Sequence, residues 1–338
     1  MSPIDSPHLT SELNLSDAQS LRERASYCLT EWSVVSLSGR DVTDLTQRLL
    51  TLDTRSLAEG SGSRCFLLDA RGRVKHHFWL LRERADQLYA ICEGGRARAE
   101  ELIDAIDMFI FSEDVRLTLE PLSCLYLWGG GARDTLDQLT QLKRFAMSGH
   151  GVSDERLTLI SPDQLESTLS ALTDGGYQAV STSQLEALRV CWGAPSTHEY
   201  REGVSPLDVS RDGISEGKGC YPGQEVIERT IAIGRPARYT TSISLRGEPD
   251  ALQSITDALS DREEVSLVER PSAEAESAPQ EPKRLGVVTS AITWGQEGLA
   301  LAQLKQSARD AQLALMLSAD DQLLDVEVTQ ITSTESEQ

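Results

Sequence analysis

The sequence predicts an α+β protein, two α/β lobes followed by a small β-barrel. Three observations lead there. The chain has 338 residues, room for two or three structural units that share large cores. Strand-like runs alternate with amphipathic helical runs as far as Gly234. Beyond it the texture changes to a series of short strand candidates.

The elements follow in order. Residues 1–20 are polar, carry two prolines and show no sustained period, so they are expected to be a disordered acidic tail, with order beginning near Leu21. The first lobe is set at 21–122. Ser33–Leu37 reads as a strand, and Ser38-Gly39 leads into a helix over 40–50 with Val42, Leu45, Leu49 and Leu50 on one face. Strands at 64–68, 74–81 and 87–92 follow, the first two joined by a turn at Asp69-Ala70-Arg71-Gly72. A helix over 97–109 presents Leu102, Ile103, Ile106 and Phe109, and strand-like runs occupy 115–119 and 125–128. In the second lobe, 123–235, a helix is expected over 134–145 and a strand over 157–160. Ser161-Pro162-Asp163-Gln164 has the form of a capping box with proline at the first helical position. A further helix over 183–192 stops at Gly193-Ala194-Pro195. The barrel, 236–332, takes strands at 239–245, 265–268, 285–293, 299–304 and 323–329. The stretch 270–284 is rich in Pro, Ala, Glu and Ser and is expected to be a flexible insertion, too poor in apolar surface to offset its ordering entropy.

Composition excludes several function classes. The hydrophobic fraction of 39% and charged fraction of 25% are those of a soluble protein, and no run approaches a membrane span. The opening Met1-Ser2-Pro3-Ile4-Asp5-Ser6-Pro7 lacks the basic and apolar regions of an export signal, so a cytoplasmic location is expected. A formal charge of −21 disfavours nucleic acid and anionic membranes as general partners while allowing a local basic pocket. The six cysteines at 28, 65, 92, 124, 191 and 220 are widely spaced, with no C-x-x-C pair and no Cys/His cluster at zinc spacing, so no metal site is assigned. Cys28, Cys65, Cys92 and Cys124 sit among apolar or β-forming neighbours, as small buried hydrophobes do. Cys220, in a glycine-rich loop, needs another explanation.

That loop lies in the most informative stretch of the chain, Glu216 to Arg229. Glycines at 217, 219 and 223 permit tight turns and close approach to a ligand. Helical spacing from Gln224 to Ile231 places Cys220 near a helix N-terminus, where partial positive charge favours thiolate, and Lys218 would push the same way. The residues describe a reactive or ligating thiol; the competing reading is a plain turn with the cysteine filling a small gap.

The eight residues Lys218-Gly219-Cys220-Tyr221-Pro222-Gly223-Gln224-Glu225 resemble the K-G-C-Y-x-G-Q-E signature of the YgfZ proteins and their mitochondrial relatives. The resemblance extends over most of residues 30–305, through Val35–Thr54 with its Thr51-Leu52-Asp53-Thr54 end, the 67–74 hairpin, Ala187-Leu188-Arg189 with Gly193, and Gly286–Ala291. It implies the fold of the glycine cleavage T protein, with the two lobes and the barrel around a central channel that binds a reduced folate. It also implies a role in assembly or repair of iron–sulfur enzymes. Tetrahydrofolate or a derivative is then the expected cofactor, with a transient, shared iron–sulfur cluster as a second. The expected partners are folate and iron–sulfur enzymes or assembly proteins.

A folate site needs a carboxylate or amide for the pterin, apolar or aromatic walls, and a cation for the glutamate tail. Candidates are Asp53, Tyr221, Gln224 and Glu225, with Arg189, Lys218 or Arg229 toward the tail and Cys220 as the reacting thiol. Each has a plainer reading: Asp53 as a loop acid, Arg189 as half of a structural salt bridge, Glu225 and Arg229 as an i,i+4 pair, Tyr221 as packing. Two departures from the family pattern stand out. Cys191 occupies the place of a glutamate two positions after the A-L-R arginine, which Asp208 in Ser205-Pro206-Leu207-Asp208 is a candidate to replace. His76-His77 stand where the T protein has paired acids, and adjacent residues of a regular strand face opposite ways, so the two are not expected to line one pocket.

Three functions compete: a folate-binding accessory protein acting through Cys220, a tetrahydrofolate-dependent aminomethyltransferase or demethylase with Asp53 as general base, and a binding module that has lost its folate site.

Overall fold

The computed structural model describes residues 15–130, 142–147, 152–269, 283–309, 311–317 and 322–331. Ten strands make one sheet: β1 (Ser26–Thr30), β2 (Ser33–Ser38), β3 (Ser61–Leu68), β4 (Val74–Arg84), β5 (Gln87–Cys92), β6 (Arg116–Glu120), β7 (Ser123–Trp128), β8 (Lys143–Ala146), β9 (Arg156–Ile160) and β10 (Gln178–Ala179). Their order is β10-β1-β7-β9-β8-β3-β4-β5-β2-β6. The first-lobe strands β3, β4, β5, β2 and β6 are covered by helices Val42–Leu49 and Gly95–Asp107, which bury Val42, Leu45, Leu49, Leu102 and Ile106 against Leu37, Phe78, Leu80 and Leu88. The other five strands pack against helices Leu15–Glu23, Leu165–Asp174 and Thr182–Cys191 through Leu21, Leu172 and Leu188.

These two halves are not separate bodies. They meet where β3 and β8 run parallel with Ser61 opposite Ala146, and Trp79, Tyr89 and Ile91 of one half share a core with Cys28, Tyr126 and Trp128 of the other. β1 lies in the first sequence range yet pairs with β7 and β10 of the second, so the division at 122/123 crosses a continuous sheet.

The C-terminal region is a second, seven-stranded antiparallel sheet: β11 (Arg238–Gly247), β12 (Val265–Glu269), β13 (Arg284–Trp294), β14 (Glu297–Lys305), β15 (Leu313–Leu317), β16 (Gln322–Leu324) and β17 (Val326–Gln330). The order β16-β15-β12-β13-β14-β11-β17 curls so that β17 comes back against β15. Helix Pro249–Ser260 fills the interior with Leu252 and Ile255. This is the α+β arrangement of two lobe-like halves and a small C-terminal barrel.

Several local expectations are corrected. Part of the expected tail is helical, because helix Leu15–Glu23 is tied down by two indole donors, Trp192 Nε1 to Ala18 O at 3.3 Å and Trp128 Nε1 to Leu21 O at 2.9 Å; residues 1–14 fall outside the described residues. In the expected helix 134–145, Lys143–Phe145 belong to β8, where Phe145 joins the shared core; 134–141 fall outside the described residues. The box at Ser161 does not cap a helix: Ser161 Oγ donates to the Gln164 side chain at 2.8 Å and the helix starts at Leu165. A complete capping box forms instead at Ser181 and Gln184. Residues 323–329 are divided by Asp325 between β16 and β17, and β1, β15 and helix Pro249–Ser260 were not anticipated. Of the insertion 270–284, residues 270–282 fall outside the described residues, whereas Lys283 pairs with Glu269 at 2.9 Å and Arg284 opens β13.

Candidate functional site: a glycine-rich thiol loop and a cavity beside it

The loop carrying Cys220 is laced onto the turn that follows helix Val42–Leu49. Thr51 Oγ1 donates to Gly213 O at 2.6 Å, Ser215 N to Thr51 O at 3.0 Å, and Asp53 N to Ser215 Oγ at 2.9 Å. Buried Gln47 completes the seam: its Nε2 donates to Lys218 O at 2.9 Å, and the Lys218 ammonium returns a bond to Gln47 O. Past Cys220 the chain turns through Gly223, at φ +79°, into helix Gln224–Ile233. A Cβ on Gly223 would stand 2.5 Å from Asp69 O and 2.7 Å from Gly72 Cα, so glycine is what lets the loop seat on the β3–β4 hairpin turn.

Cys220 is exposed, between Lys218 on one side and buried Tyr221 on the other. The Lys218 ammonium sits 5.0 Å from the centre of the Tyr221 ring. Burial lowers its pKa to about 8, against the opposing pull of the Asp53 carboxylate and the Cys220 sulfur. Asp53 is half-buried; burial pushes its carboxyl up, but hydrogen bonds from Ser56, Gln47 and the backbone outweigh that and hold it below the ordinary range. Burial pushes the Tyr221 phenol up to about 12, with the Glu228 carboxylate adding to it. The fold therefore brings Asp53, Lys218, Cys220 and Tyr221 together. Among the described residues no three His, Cys, Asp or Glu side chains are placed to hold a metal ion.

The other predicted residues do not join them. Arg189 is only 4% exposed, and its guanidinium is taken by Glu186, by Glu199 Oε2 at 3.1 Å and by Ser290 Oγ at 2.8 Å. Ser290 Oγ in turn donates to Glu199 Oε1 at 2.6 Å, so the arginine closes a buried seam between helix Thr182–Cys191 and β13 and has no edge left for a folate tail. Asp208 is also buried, accepting from Arg238 N at 3.1 Å, with Arg73 Nη1 at 3.9 Å; burial raises its pKa. It anchors the start of the barrel. Gln224 is bound to Glu228, Nε2 to Oε1 at 2.6 Å, and Glu225 and Arg229 are exposed without pairing to each other.

A small cavity open to solvent lies beside β4 and β5, lined chiefly by His76, His77, Glu93, Arg98, Thr197 and Tyr200. None of the predicted binding residues lines it. Tyr200 connects the two regions, since it packs in one cluster with Tyr221, Phe66 and Ile227. Both histidines line the cavity, contrary to the expectation that one pocket would not take both. The β3–β4 register slip falls before them, at Lys75, and His76 stands opposite Leu67 and His77 opposite Phe66, so the two rings keep to opposite faces of β4 and the cavity touches both. Gln47, Arg64, Glu93 and Tyr200 were not singled out in the sequence. Their signal was faint: a polar residue on the buried face of a helix, and charged residues inside or at the end of strands that otherwise read as core.

Comparison with known proteins fits this geometry. The fold is that of the glycine cleavage T protein: the aminomethyltransferase T of Bartonella henselae superposes with a TM-score of 0.70 over 95% of this chain and 88% of its own, at 13% identity, a likeness of fold alone. Within that class the chain is similar to proteins named tRNA-modifying protein YgfZ. It is 26% identical over 258 residues to that of Aliivibrio fischeri, covering 72% of this chain and 79% of the relative, and 24% identical over 226 residues to that of Pectobacterium carotovorum, covering 62% and 67%. No family model matches. No helix among the described residues is long and apolar enough to cross a membrane.

Proposed function

We propose that this chain is a folate-binding accessory protein that supports assembly or repair of iron–sulfur enzymes, with Cys220 as its reacting or ligating thiol. The observation that carries the reading is the exposed Cys220 on a loop pinned from both sides by Gln47 and Lys218, a thiol presented and not packed. One thiolate supplies one ligand of a cluster usually held by four, so a cluster at Cys220 would be shared with a partner or small thiols. The YgfZ relatives are named for tRNA modification. With a net charge of −21, this chain serves such a process more readily through a modifying enzyme than by gripping a polyanion itself.

Folate is supported by the fold shared with the aminomethyltransferase T and by the aromatic wall that Tyr200 and His77 give the cavity. Those residues would hold the pterin, and the bound group would supply a one-carbon-carrying nitrogen edge. The aminomethyltransferase reading keeps one observation in its favour, the ionised, half-buried Asp53 facing Lys218. Calorimetry with a reduced folate, and complementation of a strain whose cluster-dependent tRNA-modifying enzyme has lost activity, test the proposal. Heat on titration together with loss of complementation in Cys220→Ser supports it. Full complementation by Cys220→Ser, with methylene transfer abolished by Asp53→Asn, moves the function to the transferase. A tRNA complex at physiological salt would refute the indirect role.

A further inference from the structure

Strand β6 (Arg116–Glu120) closes one end of the ten-stranded order, and among the described residues it pairs with β2 alone. Its outer edge therefore offers a row of backbone donors and acceptors to another strand. The other end of the sheet is closed by β10, a strand of only two residues. The core behind β6 is left open on the same side. Of the partly buried residues that fringe the cluster of Leu37, Leu80 and Leu102, all but Leu57 belong to helix Gly95–Asp107, to β6 or to the turn between them: Ile103, Ile110, Val115, Leu117 and Leu119. That turn adds Met108 and Phe111, at 62% and 86% exposure. It is braced, since Phe111 N and Ser112 N donate to Glu113 Oε2 at 2.9 and 3.1 Å, and Glu113 Oε1 accepts from Arg48 Nη2 at 2.7 Å. Apolar side chains presented on a braced turn beside an open edge mark a surface for protein contact.

The order of residues on β6 points to what covers it. Leu117 and Leu119 stand beside Leu37 and Val35 of β2 on the helix-covered face, so Arg116, Thr118 and Glu120 share the other face. Run antiparallel against a second copy of itself about a two-fold axis at Thr118, the strand sets Arg116 of each copy opposite Glu120 of the other, Leu117 opposite Leu119, and Thr118 opposite Thr118. Every pair joins residues of the same alternation class, so the backbone groups that β2 leaves over meet their own counterparts. Arg116 is exposed, and Glu120 keeps Oε1 on Ser36 Oγ at 2.6 Å, which holds its carboxylate on the shared polar face. Charges on an edge strand deter indiscriminate pairing, but a cation at one end and an anion at the other suit the strand's own copy.

We propose that two copies of this chain associate edge to edge through β6, making one continuous sheet across a two-fold joint, with the apolar fringes of both copies on the same side of it. The joint is independent of the folate and thiol readings above, since neither Cys220 nor any residue lining the cavity sits on β6 or in the turn before it. Sedimentation velocity of the full chain over a concentration series is compared for wild type, for Arg116→Glu, for Glu120→Arg and for a mixture of the two variants. Wild type is expected to dimerise. Each variant alone sets like charges opposite each other at both ends of the joint and is expected to dissociate roughly 10- to 100-fold more readily. In the mixture both pairs are again of opposite sign, and a heterodimer is expected at the wild-type concentration. Hydrogen exchange of wild type, which needs no variant to fold, is expected to show β6 amides gaining protection as the concentration rises. Wild type that stays monomeric throughout overturns the proposal and leaves the edge to a different protein or to solvent. A dimer that both variants keep, or one that forms without protecting β6, places the joint on another face and overturns it as well. A mixture that stays monomeric although both variants keep the wild-type circular dichroism spectrum refutes the register.

Discussion

Arg189 and Arg64 are both buried, at 4% and 1% exposure, and both lie in strongly apolar surroundings, yet they have opposite kinds of company. Around Arg189 the charges close: Glu199 and Glu186 outweigh the burial that would lower its pKa, and Arg189 in turn outweighs the burial that would raise the Glu199 carboxyl, which ends below its ordinary range. Around Arg64 two rings and a histidine provide contact without compensating charge. Burial by itself therefore does not separate a paired arginine from an unpaired one. What separates them is whether the donors are spent. The seam at Arg189 joins the large sheet to the barrel and is complete, whereas Arg64, Lys218 and Cys220 all keep some capacity in hand.

The largest expected effect tests the complete side. Glu199→Ala leaves buried Arg189 with Glu186 as its remaining carboxylate and removes the acceptor of Ser290 Oγ and Ser196 N, and should lower unfolding free energy by about 3–5 kcal/mol, read as a drop in the urea midpoint. Arg64→Met, which removes an unpaired charge in favour of an apolar chain of similar length, should be neutral or stabilising in the same assay. Equal losses in both variants would erase the distinction.

Gly223→Ala comes next. The left-handed φ of +79° and the 2.5 Å approach to Asp69 O give it a cost of about 1–3 kcal/mol, and the loop should lift from the hairpin turn. Faster alkylation of Cys220, measured by mass spectrometry, would register that release.

A smaller effect belongs to Lys218. Burial depresses its pKa to about 8 in the folded chain, below the value near 10.5 of a free lysine, so between those pH values the unfolded state binds more protons. The lysine's contribution to stability therefore rises with pH across that window and is least favourable below pH 8. Comparing wild type with Lys218→Gln by urea unfolding at pH 7.5 and 9.5 should show the wild type gaining on the variant at the higher pH. A gain in the opposite direction would mean that the ammonium is held by its partners and not penalised by burial.

The thiol half of the site was legible from sequence because it is local: glycine spacing, Lys218, Cys220 and the helix start at Gln224 all fall within a dozen residues, and Asp53 lies on the turn they seat against. The cavity was not legible, because His77, Glu93 and Tyr200 come from a strand, a strand end and a distant loop, and their meeting depends on register. The alternation expected of His76 and His77 holds, since they stand opposite Leu67 and Phe66, but the cavity touches both of them all the same. At Arg189 the motif marked the position, and of its two readings the structural salt bridge is the one found, set by partners 10 and 101 residues away, Glu199 and Ser290. The strands themselves, long and apolar, were found with most boundaries shifted by a few residues, while the short β1 and the amphipathic helix Pro249–Ser260 were hidden by weak or mixed periodicity.

Cys220→Ser should have the smallest effect on stability, within about 0.5 kcal/mol, because the side chain is exposed and the loop is held by Gln47, Thr51 and Ser215 rather than by the sulfur. Cys124→Ser offers the contrast within the same chain: that thiol is fully buried, burial pushes its pKa to about 12, and a hydroxyl placed there should cost about 1–3 kcal/mol. Thermal unfolding of the two variants side by side measures both. If Cys220→Ser melts as low as Cys124→Ser, the sulfur is part of the packing that holds the loop, and its loss of function would then say nothing about thiol chemistry.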